Sequence, residues 1–246
     1  MIGDYVNNEY CNPFDELPQN FFMKLEHCGR YLYALDTISS EDVVADIACA
    51  TGYGSALLAE NAKYVIGCDI NDKYLNIAKQ KYSKSNLGFI KTDINQPLSL
   101  FQYKVSTIVS FETIEHTTKP FEVLQKFYNL LPICGRLILS FPNADCEMTD
   151  EKGKSFDPFH LSIIKFDNMV EQLTTIGFTI DKILGQSFIN KIIAQVLKME
   201  QDLNFSCEEL YNYTKKNIIN QSRVLAYPNE NDIKDSYSFI FDVRKL

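Results

Sequence analysis

Val43-Val44-Ala45-Asp46-Ile47-Ala48-Cys49-Ala50-Thr51-Gly52-Tyr53-Gly54-Ser55 is the stretch that decides how this chain is read. An apolar run of strand length breaks into a loop of small residues, and a helical pattern follows. Small side chains let a backbone come close to a ligand, while a helix N-terminus presents unpaired N–H groups and the positive end of its dipole. Taken alone, the loop makes a nucleotide-like ligand sterically feasible and no more.

The flanking sequence repeats the theme. Short apolar runs at Val43–Ala48, Tyr64–Ile70, Leu87–Ile94, Val105–Phe111, Arg136–Phe141, Thr179–Leu184 and Ser236–Val243 alternate with helical patterns, as βαβ units of a parallel sheet do. Runs as continuously apolar as Val105–Phe111 suit strands covered on both faces. Residues 71–83 predict a helix capped by Asn71 that buries Tyr74, Ile77, Ala78 and Tyr82. A second helix over 120–131 starts at Pro120, buries Phe121, Leu124, Phe127 and Leu131, and stops at Pro132. A third runs from Asp167 to Ile176 and ends at Gly177. The chain thus reads as one α/β domain over 1–246: an N-terminal lid segment (1–40), a core (41–186), a substrate or interface insertion (187–235) and a final strand (236–246). The lid contains a helix over 15–36 with Phe21, Leu25, Cys28, Leu32 and Leu35 on one stripe and His27, Arg30, Tyr31 and Ala34 on the other face.

Two acids give the loop meaning. Asp69 closes the second strand 17 residues after Gly52, the position from which a carboxylate reaches ribose hydroxyls in doubly wound folds. Asp93, preceded by Thr92, closes the third. Loop, Asp69 and Asp93 therefore share the sheet edge where open α/β sheets bind ligands. The glycine spacing argues against a nicotinamide enzyme, because Leu57 stands where GxGxxG needs a small residue.

With these residues in view, the chain resembles the class I S-adenosylmethionine-dependent methyltransferases. The resemblance implies a Rossmann-like three-layer sandwich with a mostly parallel seven-stranded sheet whose last strand is antiparallel. It implies S-adenosylmethionine as cofactor and S-adenosylhomocysteine as its product. Asp46–Gly54 is similar to the family's first motif, which assigns Asp46, Ala48, Ala50, Gly52 and Tyr53 to the methionine end. Asp69 and Ile70 fall on the ribose, Thr92, Asp93 and Ile94 on the adenine. Phe111-Glu112-Thr113-Ile114-Glu115-His116 is similar to the motif after strand four, placing Phe111 and Glu112 at the methionine and the substrate. Leu130–Leu137 resembles the turn into strand five. The departures are Ala48 and Ala50, which stand where the family usually has glycine.

A closer likeness is to small-molecule and sugar methyltransferases of polysaccharide pathways, carried by His27-Cys28-Gly29-Arg30-Tyr31 and Asp157-Pro158-Phe159-His160. It implies a hydroxyl acceptor on a sugar, nucleotide-sugar or phosphorylated metabolite; methylation of an amine or carboxylate, and a non-catalytic partner subunit, stay open as alternatives. Deprotonating a hydroxyl calls for a general base, and His160, then His116, are the candidates. Tyr5, His27, Arg30 and Tyr31 would face the substrate from the lid, with Lys152, Lys154 and Lys165 available to a phosphate.

Composition bounds the partners. With 24 basic and 32 acidic residues, net charge −8 and pI near 5.0, the chain is a poor match for a nucleic-acid backbone. No apolar run is long enough to span a membrane, and Met1-Ile2-Gly3-Asp4-Tyr5 lacks a secretory pattern, so a cytoplasmic location is expected. Seven cysteines without a CxxC pair read as reduced thiols, with Cys49, Cys68 and Cys134 in apolar stretches. Histidines 27, 116 and 160 lie far apart in sequence and give no metal signature. The oligomeric state is open, a dimer included.

Overall fold

The computed structural model describes residues 13–14, 21–187 and 216–246. Seven strands form one sheet: β1 (Val43–Ile47), β2 (Tyr64–Asp69), β3 (Leu87–Lys91), β4 (Thr107–Ser110), β5 (Arg136–Pro142), β6 (Phe178–Ser187) and β7 (Ser236–Lys245). Their order is β3-β2-β1-β4-β5-β7-β6. The first five are parallel, and β7 slots antiparallel between β5 and β6. This is the Rossmann-like mixed sheet the resemblance implies. The chain winds outward in opposite directions from β1 and β4, so their C-terminal ends frame the crevice at which such sheets take ligands.

Alternation along buried strands divides the core into two layers. Ala45, Ile47, Ile108, Leu137, Leu139 and Phe241 pack with Phe127 of α4 (Pro120–Leu130) and Leu173 of α5 (Phe166–Ile176). Val44, Val65, Val109, Ile138 and Ile240 face Tyr31 and Ala34 of α1 (Phe21–Thr37) and Leu58 of α2 (Tyr53–Leu58). The helix stops follow their local chemistry. Pro120 opens α4, and Gly177 closes α5 at φ 112°.

The remaining helices depart from expectation in phase and surroundings. Asn71 caps α3 (Asp72–Lys81) by accepting from the backbone N–H groups of Lys73 and Tyr74. The buried residues of α3, however, are Leu75 and Ala78, against Phe89 and Cys49, while Ile77 is exposed and Tyr74 half-buried. The stripe runs one position round the helix from the one anticipated, because Leu75 takes the inward place. Phe121 is only half-buried, its inward place taken by Val123.

Helix α1 is packed into the fold from two sides. Tyr31 and Ala34 pack toward the sheet, and Leu25, Cys28 and Leu32 are covered from behind by Ile218, Leu225 and Ala226. That cover comes from α6 (Ile218–Leu225) and Ala226, which ends it. The described part of the expected insertion therefore backs α1 rather than roofing the crevice. Gln186 fastens the joint: its Nε2 donates to the Glu26 and Ala226 carbonyls at 2.7 Å, and its Oε1 accepts from Arg30 Nη1 at 2.7 Å. Cysteines 28, 49, 68, 134 and 146 are free thiols, and Cys134 is exposed rather than apolar-packed. Among the described residues no helix is long and apolar enough to cross a membrane.

Candidate active site

The loop after β1 takes its shape from three left-handed residues, Ala48 (φ 61°), Ala50 (φ 47°) and Gly52 (φ 79°). Each alanine costs about 1–2 kcal/mol in that conformation, yet neither displaces the loop. Cys49 N–H donates to the Cys68 carbonyl and Gly52 N–H to that of Cys49, both at 2.9 Å. Gly52 could not be replaced as easily, since a Cβ there would sit 2.6 Å from the Phe89 ring and 2.8 Å from Ala78.

Asp69 completes the turn. Its Oδ2 accepts the Ala50 N–H and its Oδ1 the Asn71 N–H, both at 2.8 Å. Each oxygen keeps a second lone pair, and the carboxyl lines a crevice of about 530 Å³ with Ile70, Thr92, Asp93 and Ile94. Burial raises the Asp69 pKa; the N–H groups of Asn71, Ala50 and Ile70 oppose it. Asp93 Oδ1 accepts the Asn95 N–H at 2.8 Å, pinning the turn after β3.

Asp46 lies elsewhere. It is fully enclosed on the α1 face of the sheet, accepting from Tyr31 Oη (3.0 Å) and Ser55 Oγ (2.5 Å). It lines neither chamber, and neither does Gly52. Asp46 is placed to anchor the loop and α2 to α1. Burial pushes its pKa up to about 7 against those two hydrogen bonds, with the Asp69 charge adding to the rise.

A second chamber of about 200 Å³ adjoins the first across Ala48, Ala50, Glu112 and His116. Tyr53, Tyr31 and Phe111 stack edge to face along it, with centroids 5.2 and 5.1 Å apart. His27 Nδ1 meets Tyr53 Oη at 3.2 Å, and burial, then the Arg30 charge, hold its imidazole well below its ordinary pKa. Arg30 is 2% exposed, tied to Gln186 and Ser238 and 3.8 Å from Glu112. Glu112 takes a left-handed φ of 44°. Its carboxylate accepts from the hydroxyls of Ser140 (2.6 Å) and Ser238 (3.1 Å). A strained non-glycine residue so firmly held is typical of a working site.

At the far end the fold assembles what sequence spacing hid. His116 and His160, from the segments after β4 and β5, lie with ring centroids 5.2 Å apart. His116 Nδ1 is 3.0 Å from the Phe159 carbonyl, and His160 Nδ1 is 2.7 Å from Glu147 Oε1. Each ring thus turns its Nδ1 to an acceptor and its Nε2 the other way. Glu115 lies beside them, 2% exposed, with neither carboxylate oxygen hydrogen-bonded. Burial first, then Glu112, raise its pKa well above the usual range. The sequence reading found no metal signature; Glu115, His116 and His160 nevertheless bring ligand atoms within 4.8 Å of one another.

Glu115, Glu26 and Glu147 were missed as site residues. The signal for Glu115 was its place beside His116 in the quoted motif; nothing local marks Glu26, whose carboxyl burial lifts to about 7. Lys152, Lys154 and Lys165 line neither chamber. Tyr5 lies outside the described residues.

The sheet order, left-handed loop and acid-lined switch-point crevice define a Rossmann-like nucleotide-cofactor protein. Residues 38–176, more than half the chain, match the family model described as a methyltransferase domain, and the chain belongs to that family. S-adenosylmethionine is the methyl donor of the S-adenosylmethionine-dependent enzymes it resembles. A Mycolicibacterium smegmatis protein described as a probable S-adenosylmethionine-dependent methyltransferase is 27% identical over 144 residues, 58% of this chain and 54% of its own. The chain spans about half the length of the curated relatives it matches. In fold it is similar to an S-adenosylmethionine-dependent methyltransferase from Mesorhizobium loti (14% identity, TM-score 0.58, covering 88% of this chain and 98% of that one). It is also similar to the [4+2]-cyclase SpnF (14%, TM-score 0.60, 90% and 81%).

Proposed function

We propose that this chain transfers the methyl group of S-adenosylmethionine to a hydroxyl of a small, sugar-like acceptor. In this reading adenosine occupies the larger crevice, its ribose on Asp69 and its ring between Ile70 and Ile94 with Asp93 at the edge. The methionine end lies along Ala48 and Ala50. The sulfonium reaches the aromatic column of Tyr53, Tyr31 and Phe111, whose ring faces favour a cation. The acceptor enters the second chamber, near His116 and His160.

The observation that carries the reading is the junction of the two chambers at the left-handed loop. A cofactor bound in one presents its methyl group to the other. Holding donor and acceptor in line supplies much of the acceleration in such displacements, up to ~7–11 kcal/mol. Glu26, Glu112, Glu115 and Asp157 line the acceptor chamber against the single guanidinium of Arg30. That balance favours a neutral hydroxylated acceptor over a phosphorylated one. A cytoplasmic setting is part of this reading, since thiols such as Cys28, Cys49 and Cys68 stay reduced there.

Calorimetry with S-adenosylhomocysteine tests the cofactor half. Wild type should bind it in the micromolar range. Asp69→Ala should lose about 2–4 kcal/mol through two charge-assisted hydrogen bonds. No binding at about millimolar ligand, about 4 kcal/mol short of what a micromolar site offers, removes the proposal. Incubation with labelled methyl donor and a metabolite extract, read by mass spectrometry, then identifies the acceptor.

A further inference from the structure

We propose that Glu115, His116 and His160 form a binding site for one divalent first-row transition-metal ion of the zinc type. The three ligand atoms lie within 4.8 Å of one another. Donors held ~2.1 Å from one ion stand at most ~4.2 Å apart, so small side-chain rotations close the set.

Three independent features prepare these residues. Both imidazoles are oriented through Nδ1, His116 by the Phe159 carbonyl and His160 by Glu147, which Ser155 Oγ anchors in turn. This is the outer-shell arrangement that fixes the tautomer of a metal-binding histidine and turns its Nε2 toward the ion. Glu115 is buried with neither carboxylate oxygen hydrogen-bonded, its Oε1 standing 3.9 Å from His116 Nε2, a costly state for a polar group unless something is there to meet it. Finally, Glu26, Glu112 and Asp157 line the same chamber with the single guanidinium of Arg30, so the surroundings hold no surplus of positive charge that would repel a dication. Glu112 stays out of the donor set because Ser140 and Ser238 hold its oxygens. Two imidazoles and a carboxylate suit Zn²⁺, Co²⁺ or Fe²⁺ better than Mg²⁺ or Ca²⁺.

Three protein donors leave a position open. Resting on the methyl-transfer reading, the acceptor hydroxyl fills it, and the ion lowers the hydroxyl pKa as it does that of bound water. The hydroxyl proton passes to solvent. The oxygen forms the new O–C bond as the C–S bond breaks, and its electron pair returns to sulfur, leaving a neutral thioether. His116 and His160 then act through the ion rather than as proton acceptors.

The test uses the full metal-stripped chain, titrated with Co²⁺ by visible absorption and with Zn²⁺ by calorimetry. One ion per chain is expected, without the intense thiolate band that cysteine binding would give. Glu115→Gln and His160→Ala should each weaken the ion at least about tenfold, the scale on which even outer-shell losses register. S-adenosylhomocysteine affinity should stay within about threefold in both, a shift under ~1 kcal/mol. Should Glu115→Gln fail to fold, the partly exposed His160→Ala, which lies outside the cofactor crevice, carries the comparison. Wild type taking up no ion, or the variants binding it like wild type, overturns the site. Ion binding without S-adenosylhomocysteine binding sinks the methyl-transfer reading and leaves the site standing.

Discussion

Ala48 and Ala50 occupy backbone conformations that glycine enters freely. Their methyl groups are exposed or half-exposed, so little packing compensates. Ala50→Gly should therefore stabilise the chain by about 1 kcal/mol, raising Tm by roughly 2–4 °C at this size. S-adenosylhomocysteine affinity should stay within about twofold, because the loop already has the required shape. A lower Tm would show that the alanines relieve strain rather than bear it. Gly52→Ala should do the opposite. It adds backbone strain and a Cβ pressed against Phe89 and Ala78, and overpacking alone costs about 1–3 kcal/mol. Reading the residues forecast that the loop departs from glycine; the φ values reveal that the departure leaves its geometry intact.

At the scale of elements, strands and caps were legible because their causes are local. Asn71, Pro120 and Gly177 each act through their own backbone neighbours. Helix surroundings were not. The 3.6-residue period of α1 marks an apolar stripe without saying that α6 covers it. Gln186 binds these pieces together through three hydrogen bonds at 2.7 Å, joining β6 to α1 and to the end of α6. Gln186→Leu keeps the volume, orphans the Ala226 carbonyl and an Arg30 N–H, and leaves the Glu26 carbonyl only its place in the α1 ladder. With about 1–3 kcal/mol for each buried orphan, a loss of at least ~2 kcal/mol is expected in urea unfolding. A loss below ~1 kcal/mol would mean α1 is held by its apolar contacts alone.

Across the whole molecule, what could not be read was convergence. The sheet order sets β4 beside β5, and that adjacency alone joins His116 to His160 and both to Glu115. It likewise hides carboxyls in the interior, with a consequence for stability. Glu26, raised by burial and Glu112 and lowered by Arg30, and Asp46, raised by burial and Asp69 and lowered by Ser55 and Tyr31, both reach about 7. In the unfolded chain they titrate near their ordinary values of 4.5 and 3.8. Between those limits these two carboxyls hold more protons in the folded state, so their contribution is greatest at the acidic end and falls as pH rises toward 7. Buried Glu115 adds to that fall, and His27, held low, opposes it up to its ordinary 6.5. Asp36 and Asp42, held low by hydrogen bonds from Arg223 and from Ser39, Ser106 and Thr107, act oppositely and protect the fold only above about pH 4. The urea midpoint should therefore peak near pH 5 and drop by pH 8, each raised carboxyl contributing on the order of 3 kcal/mol. Glu26→Gln, which keeps shape and removes the ionisation, should flatten the slope and gain on wild type at pH 8. A midpoint that climbs from pH 5 to 8 in wild type, or a Glu26→Gln profile parallel to it, would show that water or a counter-charge reaches these carboxyls inside the fold.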